Sequence, residues 1–380
     1  MLRFVQRDVE LLAWMVLARA PRLSAAHIGQ ALSRLCITSA AALLKASPKD
    51  WQHAGLAPVA RDFLQQAAPL EAERRWIETP GHDLLPFTDP RYPRRLLEAD
   101  RHPVALHVLG DCALLNHSQF AIVGSRAPSA GGRDTAFRFA RTLAQSGFTI
   151  TSGLAQGIDR EAHRGALHAA GTTIGVLGAG ADLIYPRSNR ALYGQMTAQG
   201  AIISEFALGT PPLGKNFPRR NATIARLAAG VLVVEATLRS GSLLTARLAR
   251  EHNRTVFAVP GSIHNPLSRG CHELIRQGAK IAESASDILS ELNISGLNRP
   301  SADLDLAPAA APSHEAGMDK NHKILLDALG FDPMDLDTLV SRTGFRPETV
   351  SSMMLILELK GHVQAAPGGR FSRVRSRGER

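Results

Sequence analysis

A doubly wound α/β fold with a mostly parallel sheet is what this chain predicts, and three observations between Gln119 and Ile288 predict it. Apolar runs rich in β-branched residues recur in QFAIVGSR, FTITSGLAQGID, TTIGVLGAG, GVLVVEATLRSGS and TVFAVPGS. They carry little polar alternation, as strands buried on both faces of a parallel sheet do. Each run ends in glycine and gives way to a helical pattern, so strands and helices alternate along the chain. In such a sheet the loops at the carboxyl ends of the strands share one rim. Helix N-termini there present unpaired N–H groups and positive dipole ends, which suit anionic ligands.

Taken in order, residues 1–80 read as a small all-helical domain of the SAM or helix-hairpin-helix kind. Its helices lie in VELLAWMVLARA, in SAAHIGQALSRL opened by Ser24, in SAAALLKAS, and from APVARDFLQQA to EAERRWIE. Ser47-Pro48 and Gly55-Leu56 punctuate them. Gly55 in HAGLAP is the turn suited to phosphate contact through backbone N–H groups, and a structural or protein-contact role is the default reading. From Gly81 to Gly110 two extended runs flank a proline-bounded helix and extend the edge of the central sheet. Strands follow near 119–124, 148–152, 173–178, 200–204, 230–235, 254–259 and 280, which closes an α/β domain over 81–292. Residues 293–318 hold Pro, Ala, Ser and Asp without apolar periodicity and read as a flexible linker. Residues 319–380 repeat a helix, helix, helix, ribbon order, that of a winged helix. Its third helix, PETVSSMMLILELKG, offers only Lys360 as a base and reads as core. The basic tail RFSRVRSRGER reads equally as a phosphate contact or a solvated end.

With 44 Lys+Arg against 34 Asp+Glu, the 380 residues carry a net charge of +10, which favours a polyanionic partner. Cys36, Cys112 and Cys271 form no CxxC pair, and an odd number of cysteines fits a reducing compartment better than a disulfide scaffold. Charges at Arg3, Arg7, Asp8 and Glu10 interrupt the first helix, so it reads as neither signal peptide nor membrane span. A cytoplasmic protein without a membrane partner is expected.

Chemistry concentrates on the rim. Gly124-Ser125-Arg126 closes the first central strand, but it does not spell GxGxxG. The second strand ends in Ser152-Gly153 rather than in an acid that would hold a ribose. Gly214-Lys215-Asn216 is no phosphate-binding GK[ST] loop. No cofactor is therefore expected. The loops carrying Ser152, Gly153 and Gly157, and Ser240, Gly241 and Ser242, offer glycine-exposed amides and small hydroxyls for oxyanions. The most informative stretch is PPLGKNFPRRNATIARL, from Pro211 to Leu227. It sets Lys215, Arg219 and Arg220 around Phe217 in a loop that Pro218 leads into a helix. Cations around a ring are what a single-stranded nucleic acid needs, because charges track phosphates while the ring stacks on a base. A buried Phe with incidental charges is the competing reading. Asp159, Glu205 and Glu235 sit near strand ends without a nucleophile or metal at a recognised spacing, so no catalytic set is expected. Cys271-His272-Glu273-Leu274 has no HExxH continuation, and no metal is expected.

The run AIVGSR, TSGLAQGID, AHRGAL, GAGADLIYP, ISEF, FPRRN, VVEA, SGSLLTARLA, VFAVPGS, NPLSRG and LIRQGA resembles, in order, the DNA-processing protein A family (DprA, also called Smf). The resemblance implies an extended Rossmann core that binds single-stranded DNA, forms homodimers and loads RecA recombinase during natural transformation, with no catalytic activity. By the same resemblance Arg126, Lys215, Phe217, Arg219 and Arg220 contact DNA, and Asn221 shapes their loop. The chain departs from the family pattern where Ala222 replaces an arginine and where Ala225-Arg226 replaces Ser-Gly. Arg226, one helical turn on, is expected to restore the charge. The rival reading is a phosphoribohydrolase of nucleotide monophosphates, whose PGGxGTxxE loop SGSLLTARLARE resembles in place. It lacks the paired glycines and the correctly spaced Glu.

Overall fold

The computed structural model describes residues 2–66, 71–99, 101–263, 265–292, 320–329 and 333–374. The expected linker at 293–318 and the tail beyond Val374 lie outside the described residues. Helices α1 (Leu2–Arg19), α2 (Ala25–Arg34), α3 (Ala40–Lys45), α4 (Pro48–His53), α5 (Pro58–Gln65) and α6 (Glu71–Ile77) form the N-terminal unit. Ser24, Ser39 and Ser47 each accept an N–H of the following turn, the local signal that starts α2, α3 and α4. Ser47-Pro48, expected as punctuation, thus opens a helix, because Pro48 at the first position lacks only an N–H that would have no helical partner. Gly55 takes φ +86° between α4 and α5. The amides of Ala54, Gly55 and Leu56 there already donate to Asp50, Gln52 and Trp51 carbonyls. That turn therefore holds no free N–H row for phosphate.

The chain then runs through β1 (His82–Pro86), α7 (Arg94–Leu97) and β2 (Ala105–Gly110). The central alternation follows as β3 (Gln119–Val123), α8 (Ala130–Gln145), β4 (Thr149–Ser152), α9 (Ile158–His168), β5 (Thr173–Val176), α10 (Arg190–Gln199) and β6 (Ala201–Ser204). It continues as α11 (Asn216–Leu227), β7 (Gly230–Val233), α12 (Gly241–Glu251), β8 (Thr255–Ala258), α13 (Arg269–Arg276), β9 (Lys280–Ile281) and α14 (Ala285–Leu292). Among the described residues these strands make one nine-stranded sheet in the order β1-β2-β6-β5-β4-β3-β7-β8-β9. Pairing from β6 to β9 is parallel, whereas β1 with β2 and β2 with β6 are antiparallel. Strand order reverses at β3, which lies between β4 and β7 and marks the topological switch point. One face packs Ile224, Leu227, Ala246, Ala249 and Leu274 of α11 to α13. The other packs Phe139, Leu143, Ile158, Ala162 and Ile288 of α8, α9 and α14. Doubly covered strands explain the unalternating runs of the sequence.

Finally α15 (Lys320–Leu329), β10 (Met334–Asp335), α16 (Leu336–Thr343), α17 (Pro347–Leu359), β11 (Val363–Ala366) and β12 (Arg370–Arg373) form the winged-helix unit. Val350, Met353, Met354 and Leu357 of α17 are buried, as its apolar load suggests. Leu355 and Leu359 are nevertheless 58% and 80% exposed, because α17 is apolar around more of its circumference than its core face uses.

Two buried histidines make stability depend on pH. His107 on β2 meets the Trp76 ring at 5.3 Å, and burial pulls its pKa down to about 4. His163 on α9 bonds Thr173 Oγ1 at 2.7 Å, and burial, with the Arg220 charge, pulls its pKa down to about 3. Both folded values lie below the ordinary 6.5, so the unfolded chain binds protons first as pH falls. Stability is unaffected by these groups above that value and declines below it until the folded values are reached. Denaturant unfolding followed from about pH 7 to pH 4 should show that decline, and His107→Leu should make it shallower.

Candidate nucleic-acid interface

Helix α11 assembles the rim. Lys215 is its N-cap, and Asn216 in the first turn is buried with Nδ2 donating to the Gly178 and Pro211 carbonyls at 3.1 Å. Phe217, Pro218, Arg219 and Arg220 therefore stand on a helix, not in the loop that the sequence suggested. Proline is tolerated in that first turn because its missing N–H has no helical acceptor there. The helical period then divides the charges. Asn216, Arg220 and Ile224 share the inward face, whereas Lys215 and Arg219 point to solvent.

Arg220 is only 5% exposed. Its Nη1 donates to the carbonyl of Gly153 after β4 and, at 2.9 Å, to that of Val176 in β5, while Nε donates to Asn221 Oδ1 at 3.0 Å. Burial pulls the guanidinium's pKa down and the nearby Asp159 props it up. Asp159 is pushed up by burial, and pulled down by Arg220 and by the Gly153 and Ala155 amides that donate to it at 3.1 and 3.4 Å. The two form a buried, separated charge pair. A Cβ on Gly153 would lie 2.5 Å from Arg220, and one on Gly178 would lie 3.0 Å from Phe217. Those two glycines let the helix side chains come close to the strand ends.

Above Arg220 lies a cavity of about 130 Å³, lined by Arg126, Gln156, Tyr185, Phe217 and Arg220 with the backbone after β4 and β5. The guanidinium carbons of Arg126 and Arg220 stand 5.2 and 5.5 Å from the centre of the half-buried Phe217 ring. Tyr185 lies 6.3 Å from that ring and is 42% exposed, its backbone N–H and carbonyl both bonded to the Tyr193 hydroxyl. Arg126 is exposed, and so is Lys215, which makes no ion pair among the described residues. Arg219 instead donates from Nε to Glu205 Oε2 at 2.5 Å.

Other expected residues fall outside this group. The Ser152 hydroxyl is buried and donates to the Ile122 carbonyl at 2.6 Å. Gly124 and Ser125 lie next to Arg126 without lining the cavity, and the Ser125 carbonyl accepts the Ile158 N–H. Gly157 takes φ +80° so that α9 can start close to that carbonyl. Ser240, Gly241 and Ser242 open α12 beyond Asn221, whose Nδ2 reaches the Gly241 carbonyl at 3.3 Å, and they do not line the cavity. Arg226 does not restore the charge missing at Ala222. It sits in the last turn of α11, away from the rim, donating to the Arg101 carbonyl at 2.7 Å and to His252 Nε2 at 3.0 Å. Tyr185 and Gln156 were missed, although both lie in rim loops that the sequence singles out, and an aromatic residue before proline was the available signal for Tyr185.

At the switch point, Glu235 accepts the Ser129 N–H at 2.9 Å and the Ser129 hydroxyl at 2.6 Å. Its carboxylate thus occupies the start of α8, where a doubly wound nucleotide protein places a pyrophosphate. Glu251, the acid of SGSLLTARLARE, ends α12 roughly 15 Å along the helix from the rim and pairs with Arg247. The Cys271 thiol is pushed up to about 12 by burial. Among the described residues no group of three His, Cys, Asp or Glu could hold a metal.

The family profile described as DNA recombination-mediator protein A matches residues 83–293, and that described as the DprA winged helix domain matches 307–369. Protein Smf of Escherichia coli (strain K12) is 43% identical over 307 residues, 79% of this chain and 80% of its own. DNA processing protein DprA of Streptococcus pneumoniae (strain ATCC BAA-255 / R6) is 44% identical over 203 residues, 53% of this chain and 72% of its own. The X-ray structure of DNA processing protein A from Streptococcus pneumoniae aligns with a TM-score of 0.63 at 33% identity, covering 75% of this chain and 97% of that one. A Helicobacter pylori DNA processing protein A structure, described for its unique single-stranded DNA binding mode, aligns with a TM-score of 0.51 at 29% identity, over 56% of this chain and 95% of that one.

The buried pair makes the rim sensitive to single changes. Arg220→Met should lower unfolding free energy by about 3–5 kcal/mol, because Asp159 would be left buried without its counter-charge. Adding Asp159→Asn should recover a large part of that loss, a coupling that denaturant titration of both single variants and the double variant measures.

Proposed function

Since the chain belongs to the DNA recombination-mediator protein A family, we propose that its rim binds single-stranded DNA, shields it and passes it to RecA recombinase during natural transformation. The observation that carries this reading is the grouping of Arg126, Arg220 and the Phe217 ring around one cavity at the strand ends. Arg126 and Lys215 neutralise phosphates, and Phe217 offers its ring to a base. Arg220 contributes from beneath by fixing the ring, its own charge being balanced by Asp159. In a duplex the bases are stacked inside and their faces cannot reach such a ring, so single strands are preferred. Contacts to phosphate and ring read no base edge, so binding is independent of sequence.

The chain acts on DNA without changing it, as a homodimer in the cytoplasm. The net charge of +10 supports a polyanionic partner, and among the described residues no helix is long and apolar enough to cross a membrane. The unit over 81–292 carries the single-strand site, while the helical unit over 1–80 and the winged helix over 319–380 serve partners or regulation. The rival hydrolase reading is disfavoured by the distance of Glu251 from the rim.

Anisotropy titrations of labelled single strands and duplexes at several salt concentrations test the proposal. Single strands should bind well above duplex, and equal affinity for both would overturn it. Arg126→Ala and Lys215→Ala should each flatten the plot of log affinity against log salt by roughly 0.7, the share of one phosphate contact on a single strand. Phe217→Ala should weaken binding by about 1–3 kcal/mol with the slope nearly constant. Unchanged affinity with a large fall in melting temperature would instead make Phe217 a core residue.

A further inference from the structure

We infer that Glu205 is a positioning residue of the single-strand site, which withdraws the Arg219 charge from phosphate and so limits how strongly the rim holds a strand. The inference rests on the single-strand reading of the same rim. Glu205 follows β6 with its side chain 3% exposed, whereas the Arg219 side chain is 59% exposed. Both carboxylate oxygens are engaged by α11. Arg219 Nε donates to Oε2 at 2.5 Å, and Thr223 Oγ1 donates to Oε1 at 3.2 Å. The Arg219 guanidinium also stacks 5.3 Å over the ring of the buried Phe206. It is therefore tied to a carboxylate along one edge and to a ring across one face.

Burial pushes the Glu205 carboxyl up, and the charge and hydrogen bond of Arg219, with the bond from Thr223, pull it down. To leave Glu205 for a phosphate, Arg219 would have to abandon a buried charge, which is costly. Lys215, four residues earlier on the exposed side of α11, carries no such partner among the described residues. Held by Glu205, Arg219 neutralises no phosphate and so displaces none of the counterions condensed on the strand while Glu205 is ionised. Removing the carboxylate restores a full positive charge at the rim. The pair thus keeps the grip reversible, as a protein that gives up its strand requires.

The experiment is a salt titration of a labelled single strand with wild type, Glu205→Gln and the double variant Glu205→Gln with Arg219→Ala. Glu205→Gln keeps the shape and the Thr223 bond. It should bind severalfold tighter at low salt and steepen the salt slope by roughly 0.7, one added phosphate contact. The double variant should lose that added slope. Glu205→Met, an apolar chain of similar length for a buried position, should steepen the slope likewise and provides the answer if the Gln variant melts too low. A slope unchanged or flattened in the folded variants would overturn the inference while leaving the single-strand reading intact. Failure of the wild type to bind single strands would instead overturn that underlying reading.

Discussion

The rim depends on one buried guanidinium. Arg220 fastens α11, one turn from its start, to the carbonyls that end β4 and β5, and its neighbours accommodate it. Gly153 leaves room for it, Asp159 balances it across the loop that follows β4, and Asn221 steadies its Nε. An arginine is suited to that place because its planar fork can reach several carbonyls while staying charged under burial. The Phe217 ring rests where it does because Arg220, one turn on, fixes the helix beneath it. A rigid first turn then presents ring and charge together, so under the proposed function the protein's own ordering cost on binding is small.

The same run of residues holds three different kinds of cation. Lys215 is solvated, Arg219 is paired with Glu205, and Arg220 is inside the protein. Their net formal charge is identical to that of three free cations, but their effect on an approaching phosphate is not. A buried charge is screened by salt much less than a solvated one, and Asp159 offsets that of Arg220 as Glu205 offsets that of Arg219. The sheet adds a second device of this sort at its switch point. There Glu235 fills the anion-accepting start of α8, while the cavity lined by Arg126 and Arg220 lies at the ends of β4 and β5.

The sequence made the architecture legible because strands buried on both faces leave an unmistakable apolar run, and glycine marks where each one ends. The mostly parallel sheet, its edge extended by β1 and β2, and the winged-helix order follow the expected pattern. What it left open was depth. The expectation that Ser152 served the rim failed to see its bond to the Ile122 carbonyl, which needs the neighbouring strand. Arg226 lay on the expected face only while α11 was counted by itself, since its true partners come from Arg101 and His252 far along the chain. Tyr185 escaped because nothing local says that the loop after β5 folds back over Phe217. The N-terminal helices were legible from Ser24 and from the punctuation at Ser47-Pro48, which the structure places at the start of α4.

The N-terminal helices also carry a consequence for the order in which the chain is built. Their hydrophobic core is completed by Leu84 of β1, by Val104 and Ala105 at the start of β2, and by Ala181 of the rim loop after β5. A ribosome delivers those residues after the helices themselves. The nascent helical segment therefore emerges with apolar surface that only later sequence can cover, and its final packing waits for the central sheet to begin forming. Complete burial of the leading segment's apolar surface thus depends on the sheet edge that follows it.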